Sequence, residues 1–192
     1  MGIGVVGMPG SGKSILSDAA RSLGLKVIVM GDMVREETSR RGLPLTPQNV
    51  MRVAEDLRKE HGMGAVAMLV IEKIKRMSAK ETIDTVVVEG LRSPEECRIF
   101  REFFDWFVLI AVHASPSTRH RRIILRRRAD DARAREVLME RDKRELMFGI
   151  GELLALADYH LVNENKSKEE FYRECVELLR KIIEARRNHS VS

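Results

Sequence analysis

Several features that disulfide-rich, zinc-binding or membrane proteins depend on are scarce in this sequence. It has only 2 cysteines and 5 prolines in 192 residues, and aromatic residues make up 5% of it. Cys97 and Cys175 stand far apart and form no C-x-x-C pair, which argues against a disulfide framework or a zinc site and predicts two core thiols. The longest apolar runs, near 65–71 and 106–112, are far too short to span a bilayer.

The chain enters an apolar strand directly, without the basic start and long apolar stretch of a signal peptide. We therefore expect a soluble, cytoplasmic protein with no membrane partner. Hydrophobic residues make up 44% of the chain and charged residues 33%, and a chain of this length can bury a substantial core without disulfides or a structural metal. This composition predicts a single globular domain.

The net charge of +5 is unevenly distributed along the chain. The segment 119–144 holds 11 of the 34 basic residues but only 5 of the 29 acidic residues. An anionic partner, either nucleoside phosphates or a nucleic-acid backbone, is therefore expected at this segment.

Five apolar runs separated by amphipathic stretches predict a parallel α/β fold. The predicted strands are Met1–Gly7, Lys26–Met30, Thr85–Val88, Trp106–Val112 and Tyr159–Val162. Helical patterns occupy Gly12–Leu23, a series from Asp32 to Met77, 117–128, 131–156 and Glu169–Arg187. Near-continuous apolar strands need helices on both faces of their sheet, which predicts a doubly wound, three-layer α/β/α domain. Ligands of such sheets bind beyond the carboxyl ends of the strands.

A glycine-rich loop follows the first predicted strand. The segment Gly7, Met8, Pro9, Gly10, Ser11, Gly12, Lys13 and Ser14 is a complete G-x-x-x-x-G-K-S phosphate-binding pattern between a strand and a helix. Its glycines let backbone N–H groups point at phosphate, and the helix adds its positive N-terminus. We expect Lys13 to reach the β- and γ-phosphates of ATP and Ser14 to bind Mg²⁺ as the cofactor.

Two further motifs follow the second and third predicted strands. They are Gly31-Asp32-Met33-Val34-Arg35 and Val88-Glu89-Gly90-Leu91-Arg92. Because neighbouring strands end at one edge of the sheet, Arg35 and Arg92 are expected to converge, with an anion between their guanidinium groups. A carboxylate at Glu89 can hold Mg²⁺ through water. Arg58 either faces the same anion or lies on a solvated helix face.

Arginines recur with helical spacing through the basic segment. It contains Arg119, Arg122 and Arg126, then Arg127 and Arg128 before Asp130 and Asp131, and Arg141 further on. Phosphoryl transfer needs its spreading negative charge neutralised, so Arg122, Arg126 and Arg128 are predicted to act in catalysis beside Lys13. No aromatic residue lies within 119–144, which argues against a single-stranded nucleic acid as the partner, because bases usually stack on aromatic rings there.

Together these motifs resemble the nucleoside monophosphate kinase group, in particular the archaeal adenylate-kinase-related family, and also dephospho-coenzyme A kinases. The resemblance covers residues 2–165. It implies a five-stranded sheet ordered 2-3-1-4-5, an acceptor-binding helical insertion at 31–77 and a lid at 117–131.

The resemblance also implies roles for individual residues. Arg35 and Arg92, with Asp32 and Arg58 beside them, are expected to bind the acceptor monophosphate, and the lid arginines to close over the triphosphate. Asn163 follows the last strand, and the loop 163–166 is expected to support the adenine. The motif at the third strand departs from the family, because Glu89 stands in place of Asp and no proline precedes Arg92.

Two classes of function fit these observations. The first is an enzyme that moves the γ-phosphoryl of ATP to AMP or a related monophosphate, with a dephospho-coenzyme A kinase-like enzyme as a variant. The second is a nucleotide-dependent ATPase or switch that acts on RNA or protein. The arginines on the acceptor side favour the first, because a pure switch has no use for them. Neither the acceptor base nor the oligomeric state follows from the sequence.

Overall fold

A parallel sheet of five strands forms the centre of the protein. The computed structural model describes residues 1–127 and 132–189. Its strands are β1 (Gly2–Val6), β2 (Lys26–Val29), β3 (Val86–Leu91), β4 (Phe107–His113) and β5 (Tyr159–Val162). All pairings are parallel and the order is β2-β3-β1-β4-β5, which confirms the predicted fold class and strand order.

Helices occupy most of the rest of the described chain. They are α1 (Lys13–Ser22), α2 (Met30–Arg40), α3 (Pro47–His61), α4 (Ala65–Ser78), α5 (Pro94–Phe103), α6 (Pro116–Arg127), α7 (Ala132–Met147), α8 (Ile150–Ala155) and α9 (Lys168–His189). The predicted helical series from Asp32 to Met77 is thus α2, α3 and α4. Across the described ranges, none of the helices combines the length and apolar character needed to cross a membrane.

Side chains of the strands alternate between two separate cores. Ile3 and Val5 of β1 pack with α1 and α9 on one face of the sheet. Val6 of the same strand faces the other core, which α2, α3, α4, α5 and α8 complete. All three of these side chains are fully buried. Burial on both faces explains why the strands appear in the sequence as continuous apolar runs.

The third strand extends further than its apolar run predicted. The predicted strand ended at Val88, whereas β3 continues to Leu91. Val5 of β1 pairs with Glu89 and the next residue pairs with Leu91, so Gly90 is an extra residue in the ladder, with a φ of +102°. Glycine adopts this backbone conformation easily. The bulge keeps polar Glu89 inside the strand, which apolar periodicity does not reveal.

The segment 131–156, which the sequence predicts to be helical, forms two helices, α7 and α8. Gly149 lies between them with a φ of +94°. A Cβ on Gly149 would lie 2.7 Å from Cδ of Pro94, at the start of α5. The turn at Gly149 redirects the chain so that Ile150 and Leu153 enter the core. Helical periodicity is similar on both sides of the turn and does not mark it.

Candidate functional site

The glycine-rich loop joins β1 to α1 at the carboxyl edge of the sheet. Gly10 and Gly12 have φ angles of +82° and +110°. A Cβ on Gly12 would approach Nδ2 of Asn163 to 2.2 Å, and a Cβ on Gly10 would approach the carbonyl oxygen of Arg119 to 2.7 Å. The loop therefore requires glycine both for its backbone conformation and for the close approach of its neighbours.

Lys13 folds back over this loop from the first turn of α1. Its Nζ donates hydrogen bonds to the carbonyl oxygens of Gly7 at 2.6 Å and Met8 at 3.3 Å. Burial lowers the pKa of Lys13 to about 8, although Glu89 and Glu145 favour its charged form. An ammonium group held in this way suits contact with nucleotide phosphates, a role that stays a prediction.

Two oxygen-bearing side chains belong to the predicted magnesium site. Ser14 on α1 is exposed, and Glu89 on β3 accepts a hydrogen bond from the buried hydroxyl of Ser17. Within 1–127 and 132–189, no three histidine, cysteine or acidic side chains form a group that could hold a metal. Mg²⁺ binds one or two protein oxygens and takes its other ligands from substrate phosphates and water. The Ser14 hydroxyl and the Glu89 carboxylate suit this chemistry, and their joint binding of the ion stays a prediction. The sequence did not point to Ser17.

The loop is supported from the β5 side by Asn163 and Arg122. Asn163 is buried, and its Nδ2 donates to the carbonyl oxygen of Ser11 at 2.8 Å. Arg122 donates to the backbone carbonyl oxygen of Asn163 at 3.0 Å and to its Oδ1 at 3.1 Å. The Asn163 side chain therefore binds the loop itself, and support of an adenine by 163–166 stays a prediction.

A cavity of about 400 Å³ opens beside these residues. Its walls include Gly12, Ser14, Arg122, Asn163, Lys166 and Lys168. The volume is within the range of small-molecule sites, about 300–1,000 Å³. The cavity thus adjoins the first turn of α1. Its walls carry two lysines and an arginine against one carboxylate, that of Asp18, and this net positive lining suits a nucleoside with attached phosphates.

Charged side chains gather on the acceptor side of the loop. The groups that influence the ionisation of Lys13 or Arg58 are Glu89, Arg92, Glu96, Arg141 and Glu145. Glu145 is buried, and its Oε1 lies 3.3 Å from an Arg92 nitrogen and 4.0 Å from Nε of Arg141. Cations from α1, α3, α7 and the loop between β3 and α5 thus lie near carboxylates on this side of the glycine-rich loop.

Arg58 is a buried member of this group, which overturns the solvated-face alternative. Its side chain is 7% exposed, and one of its nitrogens lies 3.6 Å from Oε1 of the fully buried Glu96. Another nitrogen donates to the carbonyl oxygen of Ala54 at 3.1 Å, and the guanidinium lies 4.6 Å from the centre of the Phe148 ring. Burial lowers the pKa of Arg58 and raises that of Glu96.

The two arginines expected to bracket an anion each have a carboxylate partner within the chain. Arg35 and Asp32 form an exposed ion pair on α2, and Arg92 pairs with Glu145. Charge repulsion between Arg35 and Arg92 therefore does not by itself require an anion between them. Their joint binding of an acceptor phosphate stays a prediction.

The predicted lid is only partly described. Its first part is α6, and Arg128 lies outside the described residues, as does the side chain of Arg126. Arg122, the remaining predicted catalytic arginine, donates hydrogen bonds to the backbone and side-chain oxygens of Asn163.

Two carboxylates of α7 also turn inward: Asp142 pairs with Arg119, and Glu145 pairs with Arg92. The sequence did not point to either, because nothing in a charged helix marks which carboxylates turn inward.

Comparison with known proteins identifies the family. The UPF0200 protein of Hyperthermus butylicus is 49% identical to this chain over 93% of it and 92% of the relative. The UPF0200 protein of Pyrococcus abyssi is 44% identical over 93% of this chain and 95% of the relative. The chain belongs to the UPF0200 family. Residues 6–139 of this UPF0200 chain also match the family model described as an AAA domain.

Solved structures show the same fold in more distant proteins. The UPF0200 chain is similar to TT1252 from Thermus thermophilus, with a TM-score of 0.65, 19% identity and coverage of 93% and 95% of the two chains. It is also similar to a gluconokinase from Sinorhizobium meliloti, with a TM-score of 0.56, 20% identity and coverage of 98% and 97%. The protein therefore has the fold of P-loop kinases.

Proposed function

We propose that the protein is a phosphotransferase that moves the γ-phosphoryl of ATP to AMP or a related monophosphate. One observation carries the proposal: Arg92 and Arg141 lie 3.3 and 4.0 Å from the shared carboxylate of Glu145, and both influence the ionisation of the loop lysine, Lys13. A nucleotide switch needs one set of phosphate ligands, whereas here a second set of cations adjoins the first. Two anionic substrates held side by side meet the main requirement of phosphoryl transfer, which is positioning.

Each part of the site has a place in this proposal. The segment from Gly7 to Ser14 binds the phosphates of ATP, and Lys13 neutralises charge on the group in transfer. Ser14 holds Mg²⁺ directly and Glu89 holds it through water, and the ion, when bound, would neutralise further phosphate charge. The lid arginines Arg122, Arg126 and Arg128 would neutralise the charge that spreads in the transition state.

The acceptor is held by arginines on the opposite side of the cluster. Arg92 and the buried Arg58 bind the acceptor phosphate from the sheet edge, and Arg35 with Asp32 contributes from α2. Guanidinium groups suit this task because they form paired hydrogen bonds with phosphate oxygens.

Product analysis tests the proposal against its alternatives. The protein would be incubated with ATP, Mg²⁺ and one candidate acceptor at a time: the nucleoside monophosphates, dephospho-coenzyme A, a sugar acid, or single-stranded RNA. We expect ADP in stoichiometric amounts with a phosphorylated monophosphate, AMP foremost. ATP hydrolysis only in the presence of RNA would instead establish an ATPase or switch that acts on RNA. Phosphoryl transfer only to dephospho-coenzyme A would establish a dephospho-coenzyme A kinase-like enzyme.

Calorimetry of AMP binding without ATP tests the acceptor site alone. Arg92→Ala and Arg35→Ala should each weaken AMP binding by about 1.5–3 kcal/mol, the scale of a charge-assisted hydrogen bond, and leave ATP affinity nearly unchanged. Arg98→Ala is the matched control, because Arg98 forms exposed ion pairs with Glu95 and Glu102 on α5. If no monophosphate binds the wild-type protein at millimolar concentration, the monophosphate acceptor is wrong.

A further inference from the structure

A buried arginine links the glycine-rich loop to the helix that follows the lid. Arg119 on α6 is 4% exposed. One of its terminal nitrogens donates to the carbonyl oxygen of Pro9 in the loop at 3.1 Å. The same nitrogen donates to Oδ1 of Asp142 on α7 at 3.0 Å, and the other donates to Oδ2 at 2.7 Å.

The geometry of this contact makes it rigid. Arginine and carboxylate form two parallel hydrogen bonds, which fix orientation as well as distance. His120 Nε2 lies 3.0 Å from Oδ2 of the same Asp142, and the pKa of Asp142 is held below its usual range by Arg119 and His120 despite burial. The backbone of Arg119 also packs against the loop, since its carbonyl oxygen occupies the space where a Cβ on Gly10 would lie.

Helix α7 is held in position by few apolar contacts. Among its described side chains, residues 136–147, Leu138 is the only buried hydrophobic one, whereas Val137, Met139, Leu146 and Met147 are exposed. Apolar packing therefore contributes little to its position. The inward-facing contacts of this part of the helix are largely polar, namely Asp142 with Arg119 and Glu145 with Arg92.

Asp142 directly follows Arg141, which faces the site. Arg141 influences the ionisation of Lys13 and pairs at 4.0 Å with Glu145 one helical turn away. The contact between Arg119 and Asp142 thus ties the glycine-rich loop to the segment of α7 that carries Arg141.

We propose that Arg119 and Asp142 are positioning residues for phosphoryl transfer. They tie Pro9 of the loop to α7 and so place Arg141 against the γ-phosphoryl group, without touching substrate themselves. The inference rests on the proposed function for its kinetic test, and it also predicts a physical coupling between nucleotide binding and α7. Misplacement of a catalytic group by about 1 Å can lower a rate by about 10²-fold.

Asp142→Asn is the principal variant, because it keeps the side-chain volume and removes the charge. We expect kcat to fall by about 10- to 100-fold while KM for ATP stays within about threefold. Arg119→Lys, which keeps the charge but loses the paired geometry, should show a smaller loss in the same direction. Leu179→Ala in α9 is the control for a general loss of stability, because Leu179 is fully buried far along the sequence from these residues. It should lower the melting temperature and leave kcat near the wild-type value.

A double-mutant cycle distinguishes positioning from simple support of the fold. If Asp142 acts through Arg141, Asp142→Asn should have little further effect on kcat in an Arg141→Met background. Full additivity of the two effects would overturn the proposal, as would wild-type kcat in Asp142→Asn.

Hydrogen exchange provides a test that does not require any acceptor. ATP should slow amide exchange in 136–147 of the wild-type protein, and this protection should fall by at least half in Asp142→Asn. Equal protection in both proteins would contradict the coupling. If no acceptor is phosphorylated but the protection behaves as expected, the proposed function fails and the link between loop and helix stands.

Discussion

Lys13 illustrates how the surroundings of one side chain set its chemistry. Burial in the loop holds its pKa at about 8, below the usual range for lysine. Phosphate oxygens bound to the ammonium favour its charged form and would raise this pKa again. ATP binding above pH 8 should therefore be coupled to protonation of Lys13.

Calorimetry in buffers of different ionisation enthalpy measures this coupling. At pH 8.5 a group with a pKa of about 8 is roughly one quarter charged, so ATP binding should take up as much as about three quarters of a proton. Well below pH 8 the uptake should vanish, because Lys13 is already charged. Lys13→Met is the control and should show no uptake attributable to this residue. Proton release at pH 8.5 would contradict the assignment.

Lys13→Ala tests whether the loop lysine is needed for the chemistry. The variant should lose phosphoryl transfer and keep its fold, because a partly buried lysine with a lowered pKa contributes little to stability. Initial rates measure the first effect and circular dichroism the second. Near-normal turnover in Lys13→Ala would show that the glycine-rich loop plays no role in catalysis.

Glu145 competes with any anion that approaches Arg92 and Arg141. Its carboxylate lies 3.3 Å from the first and 4.0 Å from the second. Glu145→Gln should therefore tighten AMP binding about tenfold, equivalent to about 1.4 kcal/mol. Glu140→Gln on the exposed side of the same helix should have no such effect, since Glu140 pairs with Lys143 at the surface. Unchanged or weaker AMP binding in Glu145→Gln would show that this carboxylate does not compete.

The break between α7 and α8 turns Ile150 and Leu153 into the core. Gly149→Ala would place a Cβ 2.7 Å from Pro94 in a left-handed backbone conformation. We expect the free energy of unfolding to fall by about 2–4 kcal/mol, as measured by chemical denaturation. Gly24→Ala is a matched control, because its φ is +76° with no atom near the added Cβ. Gly24→Ala should lower the free energy of unfolding by only about 1–2 kcal/mol, from the backbone conformation alone. Equal losses in the two variants would show that Pro94 moves aside to accommodate the Cβ at position 149.

The two cysteines lie in different hydrophobic cores of the molecule. Cys97 lies in the core on one face of the sheet and Cys175 in the core on the other. Both are free and buried. The sheet itself separates them, so they cannot form a disulfide within the native fold.

Their reactivity with a thiol reagent at pH 8 tests this arrangement. Burial raises the pKa of Cys97, and it raises that of Cys175 to about 12. Because the thiolate is the reactive form, both should resist modification in the native protein and react at once in denaturant. The melting temperature should be the same with and without a reducing agent. Rapid labelling of either thiol in the native state would place it at the surface.

The parallel α/β class and the glycine-rich loop could be predicted from the sequence because their signals are local, whereas the strand order was implied by the resemblance to nucleoside monophosphate kinases. The loop pattern is contiguous from Gly7 to Ser14, and buried parallel strands appear as unbroken apolar runs. Where the backbone deviates from regular structure, as at Gly90 and Gly149, the sequence shows a glycine without showing what it does. The neighbouring elements that make those glycines necessary are distant in the chain.

The sequence by itself determined the kind of fold and the place of the glycine-rich loop between β1 and α1, since both follow from short stretches of chain. Only the tertiary structure decided which charged side chains turn inward. Arg58 meets Glu96, Arg92 meets Glu145, and Arg119 meets Asp142 across gaps of 23 residues or more. A helix rich in arginine and glutamate has the same charge pattern whichever of its faces meets the core. Packing of α3 against α2 and α4, and of α7 against α6 and α8, selects that face. This packing brings the second group of cations together.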